Sequence, residues 1–336
     1  MTNRDILLTE FIKQANWADA ARVLVAGDAS NRRYERLQAL DGRTVILMDA
    51  PADKGEDVRP FIAIAEHLRS IGLSAPEVLH HDTMQGFLLI EDLGDDLFKP
   101  VIAGNPTLEV PLYEAAVDVL TVLHAAPIPV LAPYDTNTMT TYAALAYDWY
   151  MFGVTDARDT SQQATFEHML YELLGPIADT PEVLIQRDYH AENLLWLPDR
   201  KGAARVGLLD FQDAMLGHPA YDLVSILQDA RRDVPPALEE KMIIRYLDQN
   251  RQDEDSFRAA YAVLGVQRNL RIIGAFARLG IERGKPHYID LIPRVWEFVE
   301  RNLAHPTLSP LALHVLETLP PPTSEVLASL RSKCPA

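Results

Sequence analysis

Cysteine is almost absent from this chain, because Cys334 is the only one among 336 residues. No disulfide can form within the chain, a composition that fits a reducing compartment. A secretory signal is also missing from the first twenty residues, where Glu10, Lys13 and Gln14 interrupt the apolar residues. The apolar spacing there predicts a surface helix instead. We therefore expect a cytoplasmic protein.

Excess positive charge and long apolar runs are lacking as well. The formal net charge is -17, from 31 basic and 48 acidic residues. Such a surface repels phosphate backbones and anionic membranes. No run approaches the roughly 18 apolar residues that span a bilayer. We expect no nucleic-acid and no membrane partner, and nothing points to an obligate protein partner, which leaves a small-molecule substrate.

The first ninety residues predict a small antiparallel sheet. Short apolar runs on both sides of Asp41-Gly42, a strong hairpin signal, are expected to form three strands. Residues 59–72 carry apolar side chains on one helical face and end on a glycine, so they predict an amphipathic helix. Two further strands are expected around a turn at Gln85-Gly86. The predicted order is three strands, one helix and two strands.

After Gly94 the pattern becomes helical. Apolar residues recur at helical spacing in "PLYEAAVDVLTVLHAAP" and in most of the chain beyond Tyr221. We therefore predict an α+β protein with two lobes. Residues 1–93 would form a sheet-rich lobe, and residues 94–336 would form a larger helical lobe.

Three polar side chains stand beside short apolar runs in "LIQRDYHAENLLW" (184–196) and "VGLLDFQDA" (206–214): Asp188, Asn193 and Asp210. Phosphoryl transfer needs such parts, because one carboxylate orients the attacking hydroxyl and accepts its proton. A second carboxylate and an amide oxygen are ligands that Mg²⁺ accepts. Each residue alone is an ordinary turn or strand-end residue. Their combination predicts phosphoryl transfer from a nucleotide with Mg²⁺.

"QRDYHAEN" together with "LLDFQDAMLGHPAYDL" resembles the aminoglycoside phosphotransferase and choline kinase family, over roughly residues 20–300. The resemblance implies a protein-kinase-like fold, with a five-stranded antiparallel sheet and one helix ahead of a larger helical lobe. It implies that Asp188 is the catalytic base and that Asn193 and Asp210 bind Mg²⁺. It also implies that Asp222 is a buried support for the catalytic loop. His190 would hold that loop by hydrogen bonds or, alternatively, shuttle a proton.

The same resemblance implies ATP as the phosphoryl donor, bound by the sheet-rich lobe. Its adenine would meet the backbone of "LLIEDLG", near Glu91 to Leu93. Two departures from the family pattern stand out. Gln186 takes the place of the usual His two residues before the catalytic Asp. The strand "TVILMDA" has Met48 or Asp49 where kinases usually carry a phosphate-pairing Lys.

Without that lysine, the phosphates need other partners. The first loop, "GDASNRRY", lacks the glycine-rich kinase pattern. Ser30, Asn31 and backbone amides would meet the phosphates, with Arg32 or Arg33 supplying positive charge. The alternative is that both arginines face solvent on a strand. Glu66, which would have paired with the lysine, is then expected to be a surface charge.

"GDASNRRYERL", "VILMDAP", "GFLLIEDLG" and "GVQRNLRIIGAFARL" together look like a narrower subgroup. They are similar to the bacterial anomeric kinases that phosphorylate N-acetylmuramate and N-acetylglucosamine at C1 during cell-wall recycling. In that subgroup the absent strand lysine is expected. The implied reaction converts ATP and the free amino sugar into the α-1-phosphate and ADP. Because an anomeric hydroxyl is more acidic than an ordinary alcohol, Asp188 need only orient it and take the proton late.

Several residues are candidates for holding the sugar. Gln212 and Asp213, just after the expected metal ligand, would accept hydrogens from sugar hydroxyls. The segment "GVQRNLRIIGAFARL" puts Arg268, Arg271 and Arg278 on one helical face. A bidentate arginine suits the lactyl carboxylate of N-acetylmuramate. The alternative is that these arginines pair with surface Asp and Glu.

Other functions remain open from the sequence. A kinase of the same fold that acts on an aminoglycoside, choline or homoserine would suit the acidic composition. A non-catalytic ATP-binding regulator is permitted by the missing lysine, although Asp188, Asn193 and Asp210 are all present. A two-metal hydrolase would want more clustered carboxylates and histidines than "RDYHAEN" and "DFQD" supply.

Overall fold

The computed structural model describes residues 3–25, 31–179 and 183–335. Its internal contacts divide the chain into two compact units. The first unit consists of Met1–Ala126 and Glu192–Ala214, and the second consists of Pro127–Ala191 and Met215–Ala336. This division differs from the expected boundary after residue 93, which stays a prediction.

The helices and strands alternate in the first third of the chain and become mostly helical later. The elements up to residue 126 are α1 (Asn3–Gln14), β1 (Ala21–Val25), β2 (Arg33–Gln38), β3 (Thr44–Asp49), α2 (Arg59–Ser70), β4 (Val78–Asp82), β5 (Phe87–Glu91), α3 (Phe98–Gly104) and α4 (Glu109–His124). The next elements are α5 (Thr136–Ala143), a π-helical turn (Ala146–Met151), α6 (Phe152–Thr155), α7 (Thr160–Ala178) and β6 (Val183–Ile185). Then come β7 (Leu194–Trp196), β8 (Val206–Leu208), β9 (Met215–Gly217), α8 (Ala220–Leu227), α9 (Pro236–Asn250), α10 (Glu254–Arg283), α11 (Ile292–Leu303), α12 (Ser309–Thr318) and α13 (Ser324–Ser332).

The main sheet of the first unit contains β1 to β5 in the order β1-β2-β3-β5-β4, and every neighbouring pair is antiparallel. The predicted order of three strands, one helix and two strands is confirmed. The turns expected at Asp41-Gly42 and Gln85-Gly86 are present, with φ of 88° at Gly42 and 73° at Gly86. A side chain on Gly86 would also collide with the backbone, because its Cβ would lie 1.9 Å from the carbonyl oxygen of Ala50.

Helix α1 covers one face of this sheet. Its buried side chains pack against alternate residues of β2, β3 and β5, as the two-residue period of a strand requires. The members of this cluster are Leu8, Phe11, Ile12, Leu37, Val45, Leu47, Phe87 and Leu89. The predicted N-terminal helix is therefore confirmed, with one side buried and the other exposed.

A small hairpin of β7 and β8 belongs to the first unit, although it lies far along the chain. The Leu208 N–H donates to the Ser74 carbonyl at 2.8 Å, and the Trp196 N–H donates to the Asp96 carbonyl at 2.7 Å. These bonds join the hairpin to the segments that flank β4 and α3. The hairpin explains why residues 192–214 group with the sheet rather than with the later helices.

The second unit is built around α10, a helix of 30 residues that is buried over much of its length. Gly274 permits a close approach here, because a Cβ on it would lie 2.2 Å from the Leu145 carbonyl carbon. The helical pattern predicted beyond Tyr221 is confirmed by α8 to α13. In the part of the chain that the structure describes, no helix has both the length and the apolar character to cross a membrane.

Candidate active site

The segment after β6 forms a strained turn that presents Asp188. The Asp188 N–H donates to the Gln186 carbonyl at 2.9 Å, across Arg187, whose φ is 72°. A hydrogen bond from residue i+2 to residue i across a positive φ is the pattern of a γ-turn, a strained conformation for a residue with a side chain. Such strain persists only where surrounding contacts hold it.

Asp222 supplies those contacts from the first turn of α8. Its carboxylate accepts the Gln186 N–H at 2.6 Å and the Arg187 N–H at 2.9 Å. The Ser225 hydroxyl adds a bond to the Arg187 carbonyl at 3.2 Å. Complete burial raises the pKa of Asp222 to about 7, although the two backbone N–H bonds act to lower it. Asp222 thus braces the turn, in the arrangement expected of a buried support.

The Asp188 carboxylate lies in a positively charged environment. Burial acts to raise its pKa, but the charges of Arg271 and Arg268, with smaller contributions from His190 and Arg187, lower the pKa below its ordinary value. Asp188 is therefore ionised at neutral pH. An ionised carboxylate with a depressed pKa is a good hydrogen-bond acceptor and only a weak base.

His190 is buried just beyond Asp188. Burial lowers its pKa, so the ring is neutral at pH 7. Its Nε2 lies 3.4 Å from the Arg231 guanidinium. The Asp229 carboxylate accepts the Ala191 N–H at 3.3 Å and the Arg231 N–H at 2.8 Å. These contacts favour the loop-holding role for His190, and that role stays a proposal.

The arginines of α10 have different surroundings. Arg268 is buried and donates to the Ser225 hydroxyl at 2.8 Å, while Arg271 donates to the Tyr221 hydroxyl at 3.3 Å. Arg278 lies 3.5 Å from Glu282 on the exposed surface. Pairing with surface acidic residues therefore describes Arg278 and does not describe Arg268 or Arg271. The shared helical face that the spacing predicts is covered at Arg268 and open at Arg278.

Asn193 and Asp210 come together at the β7–β8 hairpin in the first unit. The Asn193 amide nitrogen lies 3.4 Å from one Asp210 carboxylate oxygen, and the Leu209 N–H donates to the Asn193 carbonyl at 3.0 Å. Asp210 has a φ of 57°, which turns the chain sharply after β8. One carboxylate beside one amide fits Mg²⁺, which takes few protein ligands and keeps several waters.

Gln212 and Asp213 follow this pair. The Gln212 amide nitrogen donates to Asp210 at 2.7 Å, so its side chain is directed at the expected metal ligand. Asp213 is exposed. Their contact with a sugar stays a prediction. Among the described residues, no three His, Cys, Asp or Glu side chains gather into a metal-binding group.

The residues expected to meet the phosphates are only partly described. Ser30 lies outside the described residues. The Asn31 N–H lies 3.3 Å from Glu56, and the Arg32 guanidinium pairs with the other oxygen of Glu56 at 2.8 Å. Arg32 is 14% exposed, whereas Arg33 is 56% exposed and pairs with Glu35. The solvent-facing alternative therefore applies to Arg33 and not to Arg32.

Comparison with known proteins gives the family. Residues 22–260 match the phosphotransferase enzyme family. The chain belongs to this family. It is 40% identical to an N-acetylmuramate/N-acetylglucosamine kinase of Caulobacter vibrioides, over 92% of this chain and 95% of that protein. It is 32% identical to a protein of the same name from Neisseria meningitidis, over 91% of this chain and 95% of that one.

Solved structures show the fold of this phosphotransferase. A choline/ethanolamine kinase family protein from Mesorhizobium loti matches with a TM-score of 0.61 and 14% identity, covering 98% of this chain and 99% of that one. The ADP-bound aminoglycoside phosphotransferase APH(2'')-Ib matches with a TM-score of 0.58 and 15% identity, covering 93% and 99%. The predicted kinase-like α+β fold is therefore confirmed.

Met48 and Asp49, the two residues at the position of the missing strand lysine, lie on opposite faces of the sheet of this phosphotransferase. Asp49 lies on the sheet face that α1 covers and accepts a hydrogen bond from Arg4 at 2.8 Å. Met48 is buried and points to the other face, opposite Tyr34 on β2. Asp49 therefore pairs with α1, and Met48 is buried on the opposite face of the sheet. Glu66 is exposed, as expected for a surface charge.

The linker after β5 is held by a contact that sequence reasoning missed. Arg36 donates to Asp92 at 2.7 and 3.0 Å and to Asp95 at 2.9 Å through two nitrogens. Glu91 accepts from Arg200 at 2.6 Å. Leu93 lies between Asp92 and Asp95, both held by Arg36, so its backbone is restrained on both sides. Arg36 carried no signal in the sequence, because nothing distinguishes it from Arg33 on the same strand.

Proposed function

We propose that this phosphotransferase is an ATP-dependent kinase that phosphorylates the anomeric hydroxyl of N-acetylmuramate and N-acetylglucosamine. The observation that carries the proposal is the 40% identity, over nearly the whole of both chains, to a relative named as a kinase of these two sugars. We expect the reaction in the cytoplasm, where ATP is available.

The state of Asp188 suits this acceptor. Because neighbouring arginines lower its pKa, Asp188 is a weak base and an effective hydrogen-bond acceptor. A C1 hydroxyl of a free sugar is more acidic than an ordinary alcohol, so it needs less help from a base. In this proposal Asp188 orients that hydroxyl and takes its proton late in the transfer. The braced turn keeps the carboxylate in one position.

ATP and Mg²⁺ are the proposed co-substrate and cofactor. Asn193 and Asp210 would hold the ion, which would neutralise charge on the transferring phosphoryl group. Gln212 keeps the Asp210 carboxylate oriented through its 2.7 Å bond. The backbone near Glu91 to Leu93 is the proposed adenine contact.

ADP release with ATP and Mg²⁺ tests this function. The acceptors are N-acetylmuramate, N-acetylglucosamine, glucosamine, choline, kanamycin and homoserine, and Asp188→Asn is measured beside the wild type. We expect turnover of the two N-acetyl sugars, a product that no longer reduces copper, and a kcat at least about 100-fold lower in Asp188→Asn.

Other outcomes point elsewhere. Turnover of only choline, kanamycin or homoserine would assign another hydroxyl acceptor and overturn the sugar assignment. ATP binding without turnover of any acceptor would favour a regulatory role.

A further inference from the structure

Arg271 stands out among the charged residues around Asp188. It contributes the largest favourable charge to the lowered pKa of Asp188, and both residues belong to the second unit. Within the described residues, its guanidinium makes a single hydrogen bond, to the Tyr221 hydroxyl at 3.3 Å. A guanidinium has five N–H donors, so most of its donors have no protein acceptor there.

Arg268, one turn earlier on α10, differs in this respect. It is 3% exposed, and it donates to Ser225 at 2.8 Å and to the Gln228 carbonyl at 3.5 Å. Ser225 in turn bonds the Arg187 carbonyl, so Arg268 is tied to the turn that carries Asp188. Arg268 therefore belongs to the internal support of the loop.

Arg271 instead is only partly buried and lies beside an aromatic ring. Its guanidinium carbon lies 5.7 Å from the centre of the Tyr142 ring, and Tyr142 is 37% exposed. An aromatic ring beside the guanidinium restricts its orientation while leaving its N–H edge available. The result is a partly buried, oriented arginine whose partner Tyr221 directly precedes Asp222, the residue that braces the turn carrying Asp188.

The two sugars of the proposed function differ in charge. N-acetylmuramate carries a lactyl carboxylate, and N-acetylglucosamine has a hydroxyl at the same carbon. We propose that Arg271 binds the lactyl carboxylate and thereby sets the preference between the two acceptors, whereas Arg268 only positions the loop. This inference rests on the proposed function. The fork of a guanidinium matches a carboxylate with two parallel hydrogen bonds, which a neutral hydroxyl cannot accept.

The test measures kcat/KM for N-acetylmuramate, its methyl ester and N-acetylglucosamine with the wild type, Arg271→Gln and Arg271→Lys. Arg278→Gln is the matched control, because it removes an exposed arginine of the same helix. We expect Arg271→Gln to slow all acceptors, since it also changes the environment of Asp188. The informative quantity is the ratio of kcat/KM for N-acetylmuramate to kcat/KM for N-acetylglucosamine.

That ratio should fall about 10- to 100-fold in Arg271→Gln, the range for a lost hydrogen bond between charged groups. In Arg271→Lys the ratio should fall less, and in Arg278→Gln it should equal the wild-type ratio. In the Arg271 variants, kcat/KM for the neutral ester should fall only by the factor seen with N-acetylglucosamine. An unchanged ratio in Arg271→Gln, or an ester that behaves as the acid does, would overturn the inference. If the wild type used none of these sugars, the proposed function itself would be wrong.

Discussion

Removing Asp222 should uncouple the loop of Asp188 from the rest of the second unit. Asp222→Ala leaves the buried N–H of Gln186 and the half-buried N–H of Arg187 without their acceptor. Each unsatisfied buried donor costs about 1–3 kcal/mol, so the variant should lose about 2–6 kcal/mol of unfolding free energy. A domain typically has about 5–15 kcal/mol in total, so Asp222→Ala is expected to be barely stable.

Asp222→Asn separates the catalytic effect from simple unfolding. Its amide oxygen can accept one of the two N–H bonds, so we expect about half the loss of stability. The turn at Arg187 is strained, and partial support should let Asp188 depart from its working position. Because displacement of about 1 Å can cost 100-fold in rate, kcat should fall strongly while ATP affinity stays near that of the wild type.

Urea unfolding followed by circular dichroism gives the stability, and ADP release gives kcat. Ser225→Ala serves as a comparison variant, because it keeps both Asp222 bonds. It removes the bond to the Arg187 carbonyl at 3.2 Å and the acceptor of Arg268 at 2.8 Å. The reasoning would be refuted if Asp222→Ala lost less than about 1 kcal/mol of unfolding free energy and kept its kcat, because two N–H groups that lose their acceptor should cost more than that.

Three further predictions concern other parts of the chain. Burial lowers the pKa of His218 to about 4, so the unfolded chain binds a proton there first as the pH falls from about 6.5. The contribution of His218 to stability should decrease by up to about 3 kcal/mol between pH 6.5 and 4, and urea unfolding of His218→Asn should show a shallower pH dependence. Arg36→Gln should raise the KM for ATP several-fold with little change in kcat, because Asp92 loses its bidentate partner. An equal rise in the KM values for ATP and for the sugar would contradict this. Gly86→Ala should lower the melting temperature more than Gly42→Ala does. A positive φ costs about 1–2 kcal/mol at both positions, and only at Gly86 would the added Cβ also collide with backbone. Equal shifts in melting temperature would show that the contact with Ala50 is not destabilising.

The chemical residues could be predicted from the sequence because their information is local. Asp188 and Asn193 stand five residues apart beside short apolar runs, and Asp210 follows a third run. The family resemblance implied that Asn193 and Asp210 share a metal ion, and the β7–β8 hairpin places the Asn193 amide nitrogen 3.4 Å from Asp210. The order of strands and helices in the first ninety residues was predictable for the same reason, since turns and periodicity are short-range properties.

The partners of charged residues were not predictable in this way. Asp49 meets Arg4, which lies 45 residues away, and Asp222 braces a turn 36 residues before it. No local pattern marks the Asp49–Arg4 pair, and the support by Asp222 was implied only by the family resemblance. The grouping of residues 192–214 with the sheet also depends on distant backbone bonds, such as that of Leu208 to Ser74.

By itself, the sequence determined the fold class, the order of elements and the identity of the candidate chemical residues. It also placed Arg268, Arg271 and Arg278 on one face of a helix, because helical period is a property of the segment alone. Only the tertiary structure decided which of them is buried support, which lies beside Asp188 and which is a surface charge. The physical reason is that burial depends on what other elements cover each turn of the helix, and those elements come from distant parts of the chain.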